Sequence, residues 1–140
     1  MNVYAILGSV FVAIAALIHV LIFFFESIAW SRPATWKRFG IRTQEDAETV
    51  KPMAFNQGFY NLFLAIGVGV GLVLLGGATT IQAGIAISLF SALSMVAAAT
   101  VLITSSPKLA RAAALQGVAP LIGVIFLIVA LATTTTTAVG

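Results

Sequence analysis

Apolar positions along this chain gather into four long runs, at about residues 3–30, 54–75, 82–104 and 110–132, parted by polar intervals. Each run is long enough, at about 1.5 Å rise per residue, to cross a hydrocarbon core about 30 Å thick. The pattern predicts an all-α fold, an up-down four-helix transmembrane bundle forming one integral-membrane domain over residues 1–140. The first run begins at Val3 without a positive leader and continues for about 28 residues, so it reads as a retained helix, not a cleaved signal peptide. The interval 31–53 is too long for a simple turn. Within it, Thr43-Gln44-Glu45-Asp46 resembles a capping box and predicts a short surface helix over 44–50, stopped near Pro52. Pro120 interrupts the fourth run, and the threonine run 133–137 is expected to fray.

Charge orients the bundle. All seven basic residues fall in two places: Arg32, Lys37, Arg38, Arg42 and Lys51 in the first connection, Lys108 and Arg111 in and just after the third. These connections share a face in a four-span chain, so the positive-inside rule expects that face in the cytoplasm and both termini extracytoplasmic. The chain is 61% hydrophobic and 8% charged, which excludes an ordinary soluble domain. The net charge of +3 is therefore read as juxtamembrane attraction to anionic membrane lipids, with no nucleic-acid partner. Trp30, Trp36 and Phe39, interleaved with Lys37 and Arg38, suit the headgroup zone as interfacial anchors. The absence of cysteine removes disulfides, thiolate metal sites and cysteine nucleophiles.

Gly67, Gly69 and Gly71 lie inside an apolar span with no preceding strand, so they do not form a nucleotide loop. The Ala65/Gly69 and Gly67/Gly71 spacings instead predict close helix packing. Gly84, Ser88, Ser91 and Ala92 form a second small-residue set, and these two faces are the expected contacts of a homo-oligomer.

The intramembrane chemistry starts on the first helix. His19 and Glu26, the single histidine and the single acid within the apolar runs, are seven residues apart. They share one stripe to within about 20° but are separated by about 10 Å along the axis. A carboxylate at mid-bilayer costs about 2.5–3.5 kcal/mol on insertion scales, less near an interface, and it calls for partners. Asn56, Gln57, Tyr60 and Asn61 at the start of the second run, and Gln116 in the fourth, lie at a similar depth. With His19 and Glu26 they form a candidate ligand-binding or proton-handling pocket facing the cytoplasm. A metal is not expected from one His and one Glu so far apart. A haem would have His19 as its only evident axial ligand apart from Met95, so no cofactor is expected. No catalytic triad or nucleophile elbow is present.

These residues resemble a family of small bacterial inner-membrane proteins known as domain of unknown function 1304. The resemblance runs through His19, Phe23-Phe24-Phe25-Glu26, Trp30 with Pro33, Phe39-Gly40, Asn56-Gln57-Gly58-Phe59-Tyr60-Asn61, Phe63-Leu64-Ala65, and Gln116-Gly117 with Pro120. Ser94-Met95-Val96-Ala97 departs from the family's pattern. The resemblance implies a multi-pass, four-helix protein of the bacterial inner (plasma) membrane, without an established activity. The function expected from the residues is binding or transport of a small polar ligand, a lipid headgroup or a proton. A membrane enzyme using Glu26 as general acid/base on a lipid-borne substrate, and a non-catalytic accessory subunit, are the alternatives.

Overall fold

The computed structural model describes residues 2–137, with side chains through Thr133, and among these there is no strand. Helix α1 (Val3–Phe23) runs directly into a π-helical segment, Phe24–Ile28. A small cap follows: α2 (Pro33–Trp36), a 3-10 turn (Lys37–Phe39) and Gly40, whose φ of 80° is the left-handed conformation that favours glycine. Helix α3 covers Gln44–Leu74, α4 Ile81–Ser105 and α5 Ala110–Thr137. The four long helices pack in a ring, α1 beside α3, α3 beside α4, α4 beside α5 and α5 back against α1, with little diagonal contact. That is the up-down four-helix bundle. All four are long and apolar enough to cross a membrane, and large apolar side chains such as Leu17, Val73 and Phe90 point outward from the ring. The chain is a multi-pass membrane protein. The end holding the cap and both basic connections is referred to below as the basic end.

At the bundle's axis, Val12, Ala15, Val68, Ala92, Met95, Val124 and Leu127 form a continuous apolar core. Glycine sets how closely the helices approach. A methyl group placed on Gly71 would lie 2.9 Å from both the Gly84 carbonyl oxygen and the Ser88 amide nitrogen of α4. Gly67 faces Ser91 in the same seam. Two of the glycines expected to mediate contacts between protein copies are thus spent within one bundle. Gly69 differs, having open space around it in an outward apolar groove with Ile66, Val70, Val73 and Leu74.

Three sequence expectations require correction. Pro52 does not stop a surface helix; α3 passes straight through it. Thr43 caps this helix, its hydroxyl oxygen accepting from the Asp46 amide at 3.1 Å while donating to the Asp46 carboxylate at 2.7 Å. The proline's missing N–H falls where Lys51, Pro52 and Met53 are exposed, while the opposite face is buried by packing. That packing supplies the second correction. Trp30 and Trp36 are not interfacial anchors but the centre of a second core with Ala47 and Ala54, flanked by Phe39, Ile41 and Val50. The Trp30 indole donates to the Ala47 carbonyl at 2.9 Å. Because α3 extends beyond the apolar span, it gives the connection a wall to fold against. Third, α5 stays helical through Thr137 and does not fray at Thr133. The Thr133 hydroxyl donates to carbonyls of the preceding turn, and the Asn2 amide, opening α1, donates to its oxygen at 3.0 Å. Residues 138–140 lie outside the described part of the chain.

Candidate functional site

Glu26 sits in the middle of the π-helical segment, whose wide turn is closed by the Ala29 amide donating to the Phe24 carbonyl at 2.8 Å. Such a turn accommodates one extra residue, and it is a recurrent device at functional sites. Two features of α3 hold it. The Ser27 hydroxyl donates to the Phe55 carbonyl at 2.8 Å. Gly58 presents no side chain where a methyl group would lie 3.1 Å from Glu26 Cβ and would collide with the Ser27 hydroxyl. On the flank, Phe59 meets Phe23 edge-on at 5.2 Å and packs at a tilt against Phe55 and Phe63 along α3. Arg38, from the cap, lies over the Phe25 ring at 5.1 Å.

This clamp carries Glu26 into the bundle, where it is 8% exposed, against Asn61, which is 7% exposed. Asn61 donates from Nδ2 to Glu26 Oε2 at 3.0 Å and also to the Gln57 backbone carbonyl at 3.0 Å. One amide thus bridges the acid of α1 and the main chain of α3. A buried carboxyl without such a donor would forfeit its solvation with no return. The bond joins residues 35 apart in sequence and is the only described link between two membrane-buried side chains that can carry polar chemistry.

The other candidates spread around this pair. His19 is 1% exposed, on the same buried stripe of α1 as Glu26. Its Nδ1 lies 2.8 Å from the Ala15 carbonyl. A carbonyl can only accept, so Nδ1 carries the proton and Nε2 is the ring's other face. The α1–α5 register, read from Asn2 with Thr133, Gly8 with Leu127 and Val12 with Gly123, brings His19 to the depth of Gln116. Gln116 is half-buried, and Pro120 four residues on deprives its carbonyl of a helical donor. Asn56, Gln57 and Tyr60 are exposed on α3. The structure therefore brings Glu26 and Asn61 into contact, sets His19 and Gln116 at one deeper level, and leaves the remaining three on the surface of α3.

Sequence reasoning missed the π-helical turn and the roles of Ser27 and Gly58. Nothing in Phe24-Phe25-Glu26-Ser27 announces a π turn. Gly58, however, interrupts a block of large polar and aromatic residues, and a glycine there signals close backbone approach.

Four apolar spans in ring order, with a buried acid–amide pair near one end, define a multi-pass helical-bundle membrane protein with a polar site inside its apolar frame. The chain belongs to the family described as protein of unknown function (DUF1304), which it matches over residues 13–128. No curated protein and no solved structure matches it.

Proposed function

We propose that this protein is a binding protein of the bacterial inner membrane, with its basic end in the cytoplasm, both termini outside, and a ligand site centred on Glu26 and Asn61. The observation that carries the reading is the buried Glu26 carboxyl, set on a π turn and held by a single side-chain donor. Apolar packing needs neither the acid nor the irregular turn, and a membrane-embedded acid is a functional candidate by default. The apolar core at Val12, Val68 and Leu127 fills the axis beyond His19, which favours binding at one end over passage through a single bundle. A small polar molecule or a lipid headgroup is the class of ligand the acid and amide would hold. The orientation rests on the clustering of all seven basic residues at one end.

Native mass spectrometry of the gently extracted protein tests the site. Wild type is expected to retain a ligand that Glu26→Gln loses, while thermal stability stays near wild type because the amide keeps the shape and most hydrogen bonding. Equal retention by the two proteins would rule the site out and favour a non-catalytic accessory role. A reporter inserted within 43–48 is expected to be cytoplasmic; an outside location would reverse the orientation.

A further inference from the structure

The seam between α3 and α4 changes along its length. Met53, Gln57, Tyr60, Leu64, Gly67 and Gly71 follow at three- and four-residue spacing, so they share one face of α3. Away from the basic end that face is closed, with Gly71 and Gly67 against Ser88 and Ser91. Toward the basic end it is open: Tyr60 is 56% exposed, Met53 73%, and Gln57 is exposed as well. The matching face of α4 shows the same trend. Gly84, Ser88, Ser91 and Met95 are buried, but Ala98 is exposed and Leu102 only half-buried.

The cause is a change of partner by α4. Its Gly84 and Ser88 are drawn against α3, whereas near the basic end Ala99 is drawn against α5, where a methyl group on Gly117 would lie 2.7 Å from Ala99 Cβ. Small residues permit the close approach at both points. A helix tied to α3 at one end and to α5 at the other would part from α3 toward the basic end, in keeping with the exposure of Tyr60 and Ala98 on the two facing surfaces. Gln57 and Tyr60 stand in that opening, beside the turn of α3 that presents Asn61 to Glu26. Lys108 lies in the 3-10 turn that follows α4 and Arg111 in the first turn of α5, both at the basic end.

We infer that the opening between α3 and α4 admits a phospholipid sideways from the membrane, its phosphate toward Lys108 and Arg111 and a hydrogen-bond-donating headgroup toward Glu26. The inference rests on the Glu26–Asn61 site proposed above and names its ligand class. Charge selects a phosphate at the mouth. The carboxyl behind it accepts hydrogen bonds, so it selects a headgroup with N–H donors, as in phosphatidylethanolamine. Phosphatidylcholine has the same net charge but no N–H.

The test is native mass spectrometry of the whole protein with phosphatidylethanolamine and phosphatidylcholine at equal concentration. Ethanolamine adducts are expected to exceed choline adducts roughly tenfold, the order that one hydrogen bond to a charged group contributes. Ala98→Trp, which fills the exposed flank of the opening, is expected to reduce the ethanolamine adduct by a similar factor at unchanged thermal stability. Should that variant fold poorly, Val101→Trp, one turn further along α4 and 65% exposed, replaces it. Equal adducts of the two lipids, or a preference untouched by the tryptophan, overturn the inference. A retained non-lipid mass that Glu26→Gln loses would overturn it too while leaving the site reading standing. Indifference of every adduct to Glu26→Gln would remove the site and the inference together.

Discussion

Helix α3 meets its neighbours closely in two places, and the two are built differently. At Gly67 and Gly71 it lies against Ser91, Ser88 and the Gly84 backbone of α4, where small size alone admits the contact. At Gly58 it lies against Ser27 and Glu26 of α1, where the space left by the glycine is filled by a π-helical turn carrying an acid. The first contact is regular helix on regular helix. The second departs from regular backbone and places an ionisable group where the membrane penalises one. Close packing that serves cohesion thus reads differently from close packing at the proposed site: the former selects only for volume, the latter also for hydrogen-bond partners.

Substitutions can break this contrast. Gly71→Leu should destabilise most, because the intruding side chain meets backbone atoms that cannot rotate away; overpacking of this kind costs about 1–3 kcal/mol or more. Detergent thermal melts would register it as a large fall, with Gly67→Leu milder because it meets mainly the Ser91 side chain. Gly69→Leu, surrounded by open space, should leave the melt unchanged, and a fall there would mean that α3 is packed differently.

Next in size is Glu26→Ala. It leaves the Asn61 amide without its carboxyl partner, at about 1–3 kcal/mol for an unpaired buried group. Glu26→Gln should recover most of that stability; if both variants melt alike, the Asn61 bond contributes nothing to the fold. In the cap, Trp30→Phe keeps an aromatic ring but removes the indole donor to the Ala47 carbonyl and part of the buried volume, for an expected loss of at least about 0.5–1.5 kcal/mol in the same melt.

The smallest effect should come from Ser88→Ala. The Ser88 hydroxyl is fully buried and has no hydrogen-bond partner among the described residues. Its removal should therefore be neutral or slightly stabilising. A marked loss would show that the α3–α4 seam depends on polarity as well as size, and the contrast between the two contacts would narrow.

Hydrophobic run length and the placement of seven basic residues were sufficient for the four spans, their up-down order and the proposed orientation, because a bilayer imposes length and charge rules that act on each segment separately. The periodicity of α1 likewise put His19 and Glu26 on one stripe, and both are buried there. Sequence also pointed to Gly67 and Gly71 as close contacts, although not to α4 of the same chain as their partner. Tertiary structure decided the rest. Pro52 stays helical and the two tryptophans turn inward because the segment from Trp30 to Ile41 and α3 bury each other, an outcome that neither segment's local pattern contains. Of the four polar residues at the start of the second apolar run, only Asn61 reaches Glu26. That choice depends on the approach of α3 at Gly58 and on a π turn whose bonds to α3, Ser27 with Phe55 and Asn61 with Glu26, join residues far apart in sequence. Local composition specifies which residues a membrane tolerates; which of the polar ones meet is set by the crossing of helices, a property of the pair and not of either strip of sequence.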